Sequence, residues 1–157
     1  MPASNYPTLD IAAGTQLHVA AEYPATHDVA GFTALTTTLV GLLATSNFPK
    51  VDRAIEEKDL MSGFKYKFPG LKNMAPIETR VVFQEDDAGQ NIIEAASDGT
   101  GHLSFVWHIP GGLKVACVGY VTGYSPNVDA PNSTVDAMFT IHPVFDSLQV
   151  GVVRWTV

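Results

Sequence analysis

Five histidines, a run of three acids and a short basic–aromatic stretch are the residues here whose types could do chemistry. His18, His102, His108 and His142 fall in segments that alternate as strands, with His102 and His108 on one face of the same strand. Four imidazoles could converge on Zn, but their spacing matches no local ligand pattern such as His-x3-His, and Cys117, the single cysteine, has no thiolate partner. The spacing favours surface or interface histidines. Glu85, Asp86 and Asp87 could serve general acid–base work or bind Ca. A Ca loop, however, needs alternating oxygen ligands and a closing Glu at fixed spacing, and none follows. Helix capping accounts for them more simply. Asp87 is a good N-cap and Gln90 stands three residues on, a capping-box arrangement with carboxylates at the positive end of the helix dipole. Ser97-Asp98-Gly99-Thr100-Gly101 trails that helix and no Walker Lys follows, so it is no phosphate cradle. There is no Gly-x-Ser-x-Gly elbow. Phe64, Tyr66 and Phe68 interleave with Lys65 and Lys67, yet two lysines are too few for a single-strand nucleic-acid groove. A hairpin edge whose aromatics pack on a neighbour fits better. No catalytic residue, metal or cofactor is implied, and an enzyme has no constellation to support it.

The elements that must position these residues are mostly strands. Thr15–Ala21 alternates, with Leu17, Val19 and Ala21 on one face. Glu22–Gly31 reads as a loop punctuated by Pro24 and Gly31. Thr33–Leu43, rich in Thr, Val and Leu, reads as a strand. Ala44–Ala75, with Pro49, Gly63, Pro69 and Gly70 and mixed charge at Lys50–Asp59, reads as a long connection, and connections of that length are usually functional or disordered. Ile77–Gln84 alternates again. One confident helix follows Asp87, with Ala88, Ile92, Ala95 and Ala96 as its expected apolar face and Gly99 or Gly101 as its stop. His102–Ile109 and Leu113–Tyr124 flank Pro110-Gly111-Gly112 as a β-hairpin. Ser133–His142 follows a second Pro-rich loop, and Val150–Val157 is a terminal strand or arm. Six to eight strands, one short helix and no βαβ alternation give a mainly β class: an antiparallel β-sandwich or barrel with a short α-helix packed at its side.

A chain of 157 residues fits a single domain, 1–157, preceded by an N-terminal arm at 1–13 that carries Pro2 and Pro7. Charged residues are only 16% of the chain, well below the usual share of about 25%, so part of the exterior is expected to be hidden by self-association. The formal charge of −7 argues against a general nucleic-acid binder, but not against a wall that DNA slides past. Met1–Asp10 lacks the basic and apolar regions of a signal peptide, and no apolar run reaches about 18 residues. The expectation is a soluble protein made in a reducing cytoplasm, with no membrane partner.

From about Gly14 to Val121 the chain resembles the major tail tube protein of long-tailed, siphovirus-type bacteriophages. The likeness rests on Gly14-Thr15 before the first strand and on the Pro-Ala-Thr…Gly-Phe-x-Ala-Leu segment at Pro24–Leu35. It continues in Asp86-Asp87-Ala88-Gly89-Gln90 before a helix ending in Ala95-Ala96, and more weakly in Gly119-Tyr120-Val121. The apolar Leu39–Leu43 departs from the pattern, since family members often carry more polar residues there.

The resemblance implies hexameric rings, each subunit lending strands to a continuous inner barrel, stacked head to tail into an open-ended tube. Barrel closure would remove exposed strand edges, and a heterologous contact that never closes grows a filament. The implied partners are further copies of the chain, a tape-measure protein, tail-tip or baseplate and tail terminator proteins, and passing double-stranded DNA without specific binding. The implied location is the virion, with assembly in the host cytoplasm. Lumen candidates, from strand alternation, are Thr36, Thr38, Glu78, Gln84, Thr134 and Asp136. Ring–ring candidates, from the 44–75 segment, are Lys50, Asp52, Arg53, Glu56, Lys58, Phe64, Tyr66 and Phe68. Two alternatives stand beside this: an inner-tube subunit of a contractile tail or secretion device, and a β-sandwich carbohydrate-binding or adhesion module. The second would need exposed aromatics on one face, which Trp107 and Trp155 do not obviously supply.

Overall fold

Alternating apolar residues in Leu103–His108 and Leu113–Asn127 build the centre of the protein, and a computed structural model describes residues 14–128, 135–147 and 150–157 around them. In chain order the elements are β1 (Gln16–Ala20), α1 (Val29–Thr33), β2 (Thr38–Leu39), β3 (Leu43–Ser46), β4 (Val51–Asp59), β5 (Lys65–Met74), β6 (Ile77–Val82), α2 (Ala88–Ser97), β7 (Leu103–His108), β8 (Leu113–Asn127), β9 (Asp136–Val144) and β10 (Val153–Thr156). All strand pairings are antiparallel. The expected class, an antiparallel β-sandwich or barrel with a helix at its side, is what forms. The expected arm at 1–13 lies outside the described residues.

The main sheet runs β2-β1-β7-β8-β9-β6-β3, with β10 paired to β8 off that path. Its two end strands are nearly consecutive in sequence. Only Val40, Gly41 and Leu42 separate β2 from β3, and so short a link spans at most roughly 14 Å. The ends of the sheet must therefore lie together, and the sheet curls back on itself. The link is pinned at both sides: Val40 N–H donates to the Leu17 carbonyl at 2.9 Å, and Val82 N–H donates to the Leu42 carbonyl at 2.8 Å. Across the interior, Trp107 Nε1 donates to Ser46 Oγ at 3.1 Å, tying the middle strand to the end strand.

The closed face holds the main core: Leu17, Val19, Ile77, Val81, Phe105, Trp107, Val115, Cys117, Val121, Phe139 and Ile141, with Ile93 from α2 inserted over one end. Burial pushes the Cys117 thiol up, in keeping with a small core residue. The other face of β7 and β8 is covered too. There Phe32 of α1, Val106, Ala116, Val118 and Val153 form a second cluster, and Phe32 stacks on Trp155 of β10 with ring centroids 6.4 Å apart. β7 is thus buried on both faces, which is why its Ser104 turns its hydroxyl to the Glu22 carbonyl at 2.6 Å.

Several local expectations differ from what forms. Glu22–Gly31 is not all loop, and Thr33–Leu43 is not a long barrel strand. Asp28 caps α1, accepting from Gly31 N–H at 2.8 Å and from the Thr26 hydroxyl at 2.7 Å, and β2 is left with two residues. The Asp28 cap and the burial of Phe32 in the second cluster both favour the helix. The described residues therefore hold two short helices, not one. The 44–75 segment is built of strands: β3, then the β4–β5 hairpin, whose nine- and ten-residue strands form their own two-stranded sheet. The buried face of α2 is Gly89, Gln90 and Ile93 rather than Ala88 and Ala95, which are exposed. β8 runs on through Pro126 to Asn127.

Candidate functional site

The β4–β5 hairpin leaves the curled sheet and exposes nearly every residue on both faces. Nine extended residues reach about 30 Å. Its turn is a three-residue loop. Leu60 N–H donates to the Phe64 carbonyl at 2.9 Å, Gly63 N–H to the Leu60 carbonyl at 3.0 Å, and Gly63 takes the left-handed φ of 87° that closes such a turn. Met61 at the tip is wholly exposed, and Phe64 and Leu71 are 73% and 86% exposed. Tyr66 and Phe68 stack on one face at 6.1 Å, opposite Lys58 and Glu56 respectively. On the other face Glu57 sits between Lys65 at 3.9 Å and Lys67 at 3.7 Å, and at the root Lys50 pairs with Asp52 at 3.3 Å. An isolated two-stranded ribbon is marginal in water. The exposed Ile55, Met61, Phe64, Tyr66 and Leu71 of this hairpin make it the candidate contact surface of the described residues. All eight ring–ring candidates, Lys50, Asp52, Arg53, Glu56, Lys58, Phe64, Tyr66 and Phe68, lie on this hairpin or at its root.

The lumen candidates divide. Glu78 on β6 and Asp136 on β9 share one outward face, where Glu78 stands opposite Thr140 and Val82 opposite Asp136. Arg80 of the same face reaches Asp136 at 3.7 Å. The face continues onto β8, where Thr122 and His142 are joined at 2.8 Å. Thr38 belongs to β2 at the far end of the strand order, and Thr36 is in the loop before it rather than on a strand. Gln84 lies beyond the end of β6. Thr134 lies outside the described residues.

Asp87 caps α2, its carboxylate accepting from Gln90 N–H at 2.9 Å. The expected return bond of a capping box, from the Gln90 side chain to the cap N–H, does not form. That carboxamide is fully buried and serves the sheet instead: Nε2 donates to the Val82 carbonyl at 2.8 Å and Oε1 accepts from Gln84 N–H at 3.0 Å. The Asp87 N–H donates to the Gln84 carbonyl at 3.2 Å. Sequence reasoning placed Gln90 correctly on the first turn but missed its partners, because two strand-end backbone groups compete for it from outside the helix.

The histidines sit in separate places. His18 and His108 stack at 3.9 Å across β1 and β7. His102 packs on Tyr120 at 3.9 Å and meets the Tyr23 hydroxyl through Nδ1 at 3.1 Å. Burial, then the His18 and Lys114 charges, push His108 down to about 4, and burial lowers His18 as well. Among the described residues no group of three or more His, Cys, Asp or Glu is disposed to hold a metal. A cleft of about 770 Å³ opens along the seam beside β3, lined by Gly14, Thr15, Ser46, Phe48, Glu78 and Trp107 among others. The Ser46 hydroxyl in it donates to the Asn47 carbonyl at 3.0 Å and accepts from Trp107 Nε1 at 3.1 Å.

No family model matches the sequence, and no curated protein does. Solved structures do share its fold. The tube-terminating cap of the anti-feeding prophage is 12% identical with a TM-score of 0.58, the match covering 100% of this chain and 96% of that one. The sheath/tube terminator of PVC, an extracellular contractile injection system, in its extended state, is 14% identical with a TM-score of 0.57, covering 98% and 100%. At these identities the likeness is one of fold.

Proposed function

We propose that this chain is a structural subunit of a phage-tail-like tube, working by assembly into rings and not by catalysis, and that its place is the terminating cap of the tube. The observation that carries the reading is the β4–β5 hairpin, a long, doubly exposed ribbon with an apolar tip that only a neighbouring molecule can cover. The fold shared over essentially the whole chain with two tube terminators of contractile injection systems supports the cap position. On this reading the subunits close into a hexameric ring, the hairpins supply the contacts between subunits or between rings, and the partners are the tail tube and the sheath or tail-tip components. The polar face that carries Glu78 and Asp136 is then the side to turn toward the channel, where carboxylates would keep DNA from adhering.

A second reading, a subunit of the tube itself, is favoured by the resemblance at Pro24–Leu35 and Asp86–Ala96 to siphovirus tail tube proteins. It would enclose a tape-measure protein and later conduct DNA. The two differ in how assembly ends. A cap closes one ring and stops, whereas a tube subunit polymerises head to tail. Negative-stain electron microscopy with light scattering, of the protein alone and added to preformed tube ends, separates them. Discrete rings that seat on tube ends support the cap, and hollow filaments support the tube subunit. A chain that stays monomeric under both conditions sinks both.

A further inference from the structure

The cations are distributed very unevenly. Residues 50–74 hold six of the nine Lys and Arg but only four of the sixteen Asp and Glu, so the hairpin carries +2 and the rest of the chain −9. Within the hairpin, Arg53 and Lys72 are directly opposite each other across β4 and β5, and so point to the same side. Both are exposed, and neither forms an ion pair within the described residues. Like charges directly opposite weaken a strand pair, and this ribbon has no core beneath it to compensate. The neighbouring Lys65 and Lys67, by contrast, are both offset by Glu57. The body has the reverse imbalance. Between Arg80 and Lys114 there is no Lys or Arg, while Glu85, Asp86, Asp87, Glu94 and Asp98 fall in that span. Glu85 and Asp86 are exposed on the turn that enters α2.

From this we infer that the hairpin docks head to tail on the body of a second copy of this chain, with Arg53 and Lys72 set against the acidic turn at Glu85 and Asp86. The inference rests on the assembly reading above and adds the partner surface and the force that orients it. The contact is heterologous, since the hairpin of one copy meets a different surface of the next, and such a contact propagates around a ring or along a stack. Electrostatic complementarity of this kind fixes partner and register more than it adds affinity. The opposed cations also remain poorly paired until a second copy arrives. A nucleic acid is the competing source of negative charge for the same two cations. The −9 body disfavours it, because a duplex approaching the hairpin must also approach that field.

The test is charge reversal and its repair, read by sedimentation velocity on the full chain at low and high salt. Wild-type self-association should weaken at least tenfold as ionic strength rises from about 0.05 to 0.5 M, because contacts between exposed charges are screened. The Arg53→Glu/Lys72→Glu variant should lose association, and adding Glu85→Lys/Asp86→Lys to it should restore at least half of the lost assembly. Circular dichroism melts should show the variants folded. Should they fail to fold, mixing two singly substituted chains, Lys72→Glu with Asp86→Lys, tests the same pairing. A wild type that assembles while reversal or repair changes nothing overturns this inference and leaves the ring reading standing. Failure of the wild type to assemble in any condition overturns both. Salt-sensitive binding of duplex DNA that needs Arg53 and Lys72 while assembly does not overturns the choice of partner.

Discussion

Gln90, the third residue of α2, gives its carboxamide N–H to the carbonyl of Val82, the last residue of β6, at 2.8 Å. Its oxygen takes Gln84 N–H at 3.0 Å. One buried side chain thus terminates a strand and fixes the helix that plugs the curled sheet beside the Val40–Leu42 link. The Tyr124 hydroxyl approaches the same oxygen at 3.4 Å.

Replacing Gln90 by Ala removes the buried carboxamide that bonds the Gln84 N–H and the Val82 carbonyl at the edge of the core. The expected cost is about 2–6 kcal/mol, since each unmade bond of a buried group costs about 1–3. Urea denaturation of the variant measures it. A loss under about 0.5 kcal/mol, the range of ordinary surface changes, would mean the carboxamide bonds do not matter to stability.

Gly89 offers a test with opposed signs. By helix propensity, Gly→Ala should stabilise by about 1 kcal/mol. A Cβ at Gly89, however, would run into the Leu39 carbonyl and sit 2.9 Å from the Val40 Cα, which are backbone atoms that cannot swing aside. Gly89→Ala is therefore expected to destabilise by about 1–3 kcal/mol, as overpacking does. A raised melting temperature would show that α2 does not press on the seam this closely.

The stacked pair His18–His108 makes stability fall on the acid side. Facing it are Lys114 of β8 and Gln16 of β1, whose Oε1 lies 3.2 Å from His18 Nε2 and can only accept from it. An unfolded imidazole binds a proton near 6.5, whereas His108 in the fold resists until about 4. Between those values the unfolded chain holds more protons, so the stabilisation is complete above about 6.5 and is lost as pH falls toward about 4. His108→Gln should flatten the dependence of melting temperature on pH over that window without abolishing it, since His18 remains. An unchanged slope would remove the pair as the cause.

At the hairpin tip, Met61→Ser with Phe64→Ser should leave the melting temperature of the monomer nearly unchanged, because both side chains are exposed and touch no core. Self-association should drop. Size-exclusion chromatography with light scattering distinguishes this from a tip that plays no part, for which the elution profile would not move.

The strands that pack on the core were legible because their two faces differ. Ile77, Thr79 and Val81 are buried while Glu78 is exposed, and on β9 Ala137, Phe139 and Ile141 are buried while Met138, Thr140 and His142 between and beyond them are only half-buried. The β4–β5 hairpin was not legible as strands. With both faces in solvent, Val51–Asp59 has no period-two signal, and its mixed charges read as a loop. α1 escaped for a different reason: five residues are too few to show a helical period, and the signal available was the cap, Thr26 and Asp28 ahead of Gly31. Of the candidate residues, the eight from the 44–75 segment lie together on or beside one hairpin, since the mixed charge and aromatics of that segment mark a single stretch of chain. The lumen candidates do not share one surface: Glu78 and Asp136 fall on one face through the β6–β9 register, while Thr36 and Thr38 depended on a strand that α1 displaces.

β8 is paired on both sides. Along its first half β7 lies on one side and β10 on the other, and β9 takes over along its second half. During synthesis β7, already flanked by β1, can pair with β8 early, but β9 and β10 follow β8 in the chain. The nascent subunit therefore holds a long one-sided edge until β10 has left the ribosome. The β4–β5 hairpin and the Glu85–Asp86 turn, by contrast, leave the ribosome before β9 and β10, so both are exposed before the fold that carries them has closed.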